Sequence, residues 1–170
     1  LRALAGQQVS VAAARTQLAR LTAACGTPVD TPIPGLTRLF PSPAQVAERG
    51  HDALVGPRTR RENTLAVATR LAEGSLDVSW SDDPAEQRAR LLAVPGIGDW
   101  TADYVAMRVL GHPDVLPTGD VALRKGASRL GLPDRPRDLA AWGVRVSPWR
   151  SYASLHLWRV ATTRNGETCC

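Results

Sequence analysis

Apolar residues along this chain recur three and four positions apart far more often than two, a spacing that predicts helices joined by short turns. Residues 1–5 read as a helix stopped at Gly6, and Ser10 stands as the N-cap of a second helix that runs to Ala24 and is closed by Gly26. Leu4, Val11, Leu18 and Leu21 share helical spacing and are expected to face the core. Residues 27–42 contain Pro28, Pro32, Pro34 and Pro41 and are expected to be mostly irregular. Pro43 behind Ser42 fits the first position of a short helix to about Arg49. A longer helix is predicted over 59–73, stopped by Gly74, with Leu65, Ala68 and Leu71 on its inner side. Asp83-Pro84 starts the next helix, which Leu91, Leu92 and Val94 close; Pro95-Gly96-Ile97-Gly98 then turns sharply into an apolar-periodic run over 100–110. Helices over 121–130, near Asp138 and over 149–163 complete the pattern, the last capped by Ser147-Pro148. Alternating strand pattern is almost absent, so the fold class is all-α.

The chain's 170 residues can bury one sizeable core or two small lobes. A net charge of +5 suits a polyanionic partner without naming one. Neither a membrane-length apolar run nor a signal-peptide pattern is present, and a cytoplasmic location is expected. Cys25, Cys169 and Cys170 form neither a disulfide framework nor a four-thiolate cluster. His51, His112 and His156 lie far apart in no ligand-spaced motif, so no side-chain metal site and no cofactor are expected. Arg58, Arg60, Arg61 and Arg70 read as a solvated helix face.

The turn at 95–98 between two helices is a helix-hairpin-helix. Glycines 96 and 98 let another backbone come close, and the first N–H groups of the following helix lack intrahelical acceptors, a place where a phosphate fits. Asp120, directly before an apolar-periodic run, reads as a helix N-cap, where the helix dipole favours a negative charge. Trp100 and Tyr104 stand four apart and share a helix face. Taken singly, each tryptophan reads first as core packing.

The stretch Val94-Pro-Gly-Ile-Gly-Asp-Trp-Thr-Ala-Asp-Tyr104, followed by Leu116-Pro117-Thr118-Gly119-Asp120, resembles the hairpin and catalytic-aspartate motif of the helix-hairpin-helix base-excision glycosylases. Within them it is most similar to the bacterial alkylated-base type, 3-methyladenine DNA glycosylase II. The likeness extends through Gly6-Gln-Gln-Val-Ser10 and Pro148-Trp-Arg-Ser-Tyr-Ala153. It implies two helical lobes with a cleft between them, 1–112 carrying the hairpin and 113–170 carrying the catalytic aspartate. The family's N-terminal β-containing domain is expected to be lacking, and Leu1 in place of Met suggests a fragment of a longer chain, acting as a monomer. The cysteine set excludes the family's iron–sulfur branch.

The implied reaction is hydrolysis of the N-glycosidic bond of alkylated bases, such as 3-methyladenine and 7-methylguanine, in double-stranded DNA, leaving an abasic site. The resemblance makes Asp120 the catalytic carboxylate and assigns Trp100, Tyr104 and Trp158 to the base pocket. It gives DNA contacts to Gln7, Gln8, Val94, Gly96, Ile97, Gly98 and Thr101, with Gln8 at the gap-entering position where relatives often carry leucine. An alkali ion would sit on the hairpin carbonyls of Leu92, Val94 and Ile97. Trp100 stands where strand-cutting relatives carry a nucleophilic lysine, which implies a monofunctional enzyme. Arg150 and Tyr152 are expected to pack the last helix. The alternatives are a non-catalytic, sequence-independent DNA-binding module and a mismatch or oxidised-base glycosylase of the same fold.

Overall fold

The computed structural model describes residues 1–163; Cys169 and Cys170 lie outside the described residues. Its helices are α1 (Arg2–Ala5), α2 (Val11–Cys25), α3 (Pro43–Arg49), α4 (Arg58–Glu73), α5 (Pro84–Leu92), α6 (Asp99–Arg108), α7 (Val121–Arg129), α8 (Pro136–Gly143) and α9 (Arg150–Thr162), with a 3-10 turn at Val144–Val146. No strand longer than an isolated bridge occurs among the described residues, in keeping with the all-α expectation.

The helices gather into two compact units. The first is Leu1–Val78 with Ala93–Ile97, and the second is Ser79–Leu92 with the described residues from Gly98 onward. This division falls elsewhere than the break at 112 read from the sequence, because α5 and α6 pack on each other and group with the helices that follow.

In the first unit, local chemistry sets the helix ends. Ser10 accepts from the Ala13 N–H, and Ser42 forms a capping box with Gln45 at the start of α3. Gly74 ends α4 with φ +74°, a conformation glycine adopts without penalty. Leu21, Cys25, Val46 and Ala68 form the core, flanked by Leu1, Phe40, Ala53 and Leu54. Burial pushes the Cys25 thiol up from its ordinary pKa. Residues 27–42 are irregular apart from one antiparallel bridge, Pro28 to Arg38.

Two core expectations are corrected. Val11 is 72% exposed, because it occupies the first position of α2 while the buried face is set further along by Leu21 and Cys25. The inner face of α4 consists of Thr64, Val67 and Ala68, with Leu65 and Leu71 only half-buried. Small and β-branched side chains at the centre of that face let α3 approach closely. The Thr64 hydroxyl is satisfied by donating back to Arg60 O at 2.8 Å.

In the second unit, α7 packs against α9 around Leu123, Ala127, Leu139 and Leu157. A Cβ on Gly126 would lie 1.9 Å from Leu157 O, so this crossing requires glycine. The expectation that Ser147-Pro148 caps the last helix is also corrected. The Ser147-Pro148 peptide bond is cis, and α9 begins at Arg150, where Asp114 Oδ1 takes the Arg150 N–H at 3.3 Å.

Candidate active site

The second unit brings together the four residues assigned from sequence to catalysis and the base pocket. Asp120 caps α7, its Oδ1 accepting the Leu123 N–H at 2.7 Å. The same oxygen accepts Trp158 Nε1–H at 3.0 Å, while Oδ2 accepts Trp100 Nε1–H at 2.6 Å. A carboxylate offers about four acceptor directions. Among the described residues three are filled, and the open one lies on Oδ2, which carries a single donor.

The rings that hold Asp120 also touch one another. Trp100 stacks on Tyr104 with centroids 5.2 Å apart and planes at 25°, and Tyr104 meets Trp158 at 6.1 Å and 49°. All three rings and Asp120 are half-buried, neither sealed in the core nor fully exposed. The arrangement places a fixed negative charge beside electron-rich faces. Both features attract a cation.

A set of residues that sequence reasoning missed holds the loop leading to Asp120. Asp114 accepts from Arg150 Nε at 2.5 Å and Nη2 at 2.8 Å, and from the Ser147 hydroxyl at 2.9 Å. The Ser151 hydroxyl donates to His112 O at 2.6 Å and accepts the Val115 N–H at 3.0 Å, while Ser154 donates to Val115 O at 3.1 Å. The loop is thereby stapled to the first turn of α9, the helix that carries Trp158. Arg150, hydrogen-bonded to Asp114, holds that carboxyl well below the usual carboxylate range. An aspartate and an arginine embedded in Pro-rich turns were the available signal. Tyr152, expected to pack, is 57% exposed and meets Trp149 edge-on, because α9 turns that face to solvent.

At the start of α6 the N-cap position is Gly98, which has no side chain with which to cap the helix. Asp99 in that first turn would repel an anion. Arg88 offsets it, binding Asp99 at 2.5 Å and Asp103 at 3.0 Å. Burial raises the Asp103 pKa, and Arg88 opposes that rise. Thr101 is buried, so its side chain does not reach the surface.

In the first unit, Ile97 N–H donates to Val94 O at 3.0 Å to close the hairpin turn. Val94 and Ile97 are buried, and Pro95 and Gly96 are the exposed residues of the turn. Gly96 has φ +88°, and a Cβ there would meet Asn63 at 2.6 Å. Gln7 Nε2 donates to Gly96 O at 2.8 Å. Beside it, exposed Gln8 is the non-glycine residue with positive φ among the described residues, at +54°.

His51 is exposed beside Asp52, His156 is exposed, and His112 lies in the stapled loop. Arg58 pairs with Glu62 on the solvent side of α4. No helix among the described residues is long and apolar enough to cross a membrane.

No protein-family model matches the chain. It is 45% identical over 158 residues to a probable bifunctional transcriptional activator/DNA repair enzyme AlkA of Mycobacterium tuberculosis, covering 93% of this chain and 32% of that protein. It is 33% identical over 161 residues to DNA-3-methyladenine glycosylase 2 of Escherichia coli, covering 93% of this chain and 55% of that protein. The chain thus spans about a third to about half the length of these curated relatives. Among solved structures, a Schizosaccharomyces pombe 3-methyladenine DNA glycosylase in complex with abasic DNA superposes with a TM-score of 0.75 at 21% identity, over 93% of this chain and 76% of that one. At that identity the likeness speaks for the fold.

Proposed function

Because this chain belongs to the helix-hairpin-helix DNA glycosylase superfamily, we propose that it hydrolyses the N-glycosidic bond of alkylated bases in double-stranded DNA and leaves an abasic site. The observation that carries this reading is the Asp120 carboxylate, held by two indole N–H groups and a helix N-terminus beside three aromatic rings.

Cleaving this bond develops an oxocarbenium-like sugar, with positive charge over C1′ and the ring oxygen. The open acceptor direction of Oδ2 can face that carbon, or take a proton from the attacking water as it adds to C1′. Because its donors are already in place, the carboxylate needs no reorganisation as charge develops. A 3-methyladenine or 7-methylguanine leaves as a neutral base from a cationic nucleoside, so no general acid is needed. The rings of Trp100, Tyr104 and Trp158 attract such a cation, each face contributing about 0.5–2 kcal/mol. This attraction reads charge more than shape, and a broad range of alkylated bases follows. Trp100 supplies no amine nucleophile, so water ends the reaction at the abasic site.

Of the remaining assigned residues, Gln7, Gln8, Gly96 and Gly98 serve DNA contact in this reading. The backbone N–H groups of Gly98, Asp99 and Trp100 at the start of α6 are offered to phosphate. The Gln8 amide fills the gap left by an extruded nucleotide and hydrogen-bonds the orphaned partner. The protein works as a monomer in the compartment that holds the DNA.

The test is incubation of the chain with duplex DNA methylated by dimethyl sulfate, with chromatography of the released bases and gel analysis of the strands. Free 3-methyladenine and 7-methylguanine are expected, with strand breaks appearing only after alkali. Salt-sensitive duplex binding without any base release would leave a non-catalytic binding module in place of the enzyme.

A further inference from the structure

The outer face of α7 carries a recess that no step above uses. It is lined by Val121, Arg124, Lys125, Ser128, Arg129 and Asp134. The opposite face of the helix, Leu123, Gly126 and Ala127, is buried against α9, whereas Val121, Lys125 and Ser128 are exposed. The recess is therefore open to a partner along two turns of helix.

Its cations differ in what they already do. Arg129 Nη1 donates to Val160 O at 2.7 Å, Thr163 O at 3.0 Å and Ala161 O at 3.1 Å, and so caps the end of α9. Among the described residues Arg124 makes no such bond. Its Nε is buried and has no hydrogen-bond partner among the described residues. Leaving a donor in that state costs about 1–3 kcal/mol, more when the group is charged; Arg124 also lines the recess, where its charge attracts an oxyanion. Lys125 adds a second charge at the exposed edge, and the only acid lining the recess among the described residues is Asp134.

The position of the recess says which oxyanion. Asp120 caps the same helix, and at about 1.5 Å rise per residue Arg124 and Lys125 stand about 6–8 Å along the axis from it. That is within the reach of one nucleotide whose C1′ sits at Asp120. We propose that Arg124 and Lys125 hold a backbone phosphate of the DNA strand next to the extruded nucleotide. This inference rests on the glycosylase reading and adds the strand contact that keeps the sugar against Asp120. A phosphate contact of this kind positions the strand and carries no sequence information.

The experiment measures the affinity of the chain for a duplex containing a tetrahydrofuran abasic analogue, across a salt series. Arg124→Met keeps the length of the side chain and removes its donors. It is expected to weaken binding about threefold to tenfold and to lower the magnitude of the slope of log K against log salt by about 0.9, the loss of one phosphate contact. Thermal stability should be kept or raised, since the variant removes a buried unpaired donor. Lys125→Gln, at an exposed position, is expected to reduce the slope in the same direction and carries the test if Arg124→Met fails to fold. Arg20→Gln on α2 serves as the control and should change neither quantity. An unchanged slope in a folded Arg124→Met and in Lys125→Gln, with salt-sensitive binding by the unsubstituted chain, overturns the recess alone. Failure of the unsubstituted chain to bind the abasic duplex overturns the repair reading, and the recess with it.

Discussion

The carboxylate at the head of α7 and the glutamine turn at residues 7–8 are held in opposite ways. Asp120 accepts three N–H donors, and the loop that delivers it is stapled to α9 by Asp114, Ser151 and Ser154. Gln8 is exposed with φ +54°, and its neighbour Gln7 is tied by its side chain to the carbonyl of Gly96. The difference follows what each would have to do. A group that steadies developing charge loses rate steeply when misplaced by an ångström, so its position is over-determined. A side chain that fills a gap in a duplex must adapt to whichever base stands opposite, and a lighter restraint with some stored backbone strain serves that task.

The largest expected effect comes from breaking the scaffold on the Asp120 side. Gly126→Ala forces a Cβ onto Leu157 O and should destabilise the chain by about 3 kcal/mol or more, read as a fall in the thermal midpoint or loss of the folded state. Asp114→Asn removes the charge of the staple while leaving Asp120 and the rings untouched. Base release under single-turnover conditions should fall by about 10- to 100-fold, with abasic-duplex affinity kept within about twofold. A loss confined to affinity would mean that the staple supports binding and not the chemical step.

The same pair sets a pH dependence. The folded carboxyl of Asp114 lies well below the usual carboxylate range because of Arg150, whereas in the unfolded chain it titrates near the ordinary value of about 3.9. Its stabilising contribution is therefore complete above about pH 5 and is lost as pH falls from there toward the folded value. Melting curves of the unsubstituted chain and Asp114→Asn should be well separated at neutral pH and converge on acidification below about pH 4. Curves that stay equally separated at pH 3 would assign the difference to another cause.

Smaller effects sharpen the contrast. Trp158→Phe keeps an aromatic face but removes one donor to Asp120, and is expected to slow base release by about 10-fold. Gln7→Ala frees the turn at Gln8 and should weaken abasic-duplex binding by only about twofold to fivefold, with the single-turnover rate at saturating enzyme unchanged. If Gln7→Ala lowered that rate as much as Asp114→Asn does, the two regions would not differ in the way described.

What was legible in the sequence was mostly local. Ser10, Ser42 and Asp120 announce helix starts because the capping side chain and the N–H it accepts are neighbours, and Gly74 announces a helix end because few other residues tolerate its φ. Asp120 with its aromatic partners was found through the resemblance around the hairpin, and the four side chains do converge. The staple was missed because Asp114 and Arg150 are 36 residues apart, and no period connects an acid in one loop to a base behind another. On the inner face of α4 Ala68 was read correctly, but Thr64 and Val67 were missed because close helix packing selects them over the larger Leu65 and Leu71. The orphaned Nε of Arg124 could not be read at all, since it depends on what surrounds the side chain.

The most direct measurement is the single-turnover rate of 3-methyladenine release by Asp120→Asn, taken beside its affinity for the abasic duplex. The amide keeps an oxygen for the Leu123 N–H but removes the negative charge. The rate is expected to fall by at least about 100-fold while the affinity changes little. Release at the unsubstituted rate would contradict the central claim, because the carboxylate would then not be the group that steadies the departing base's sugar.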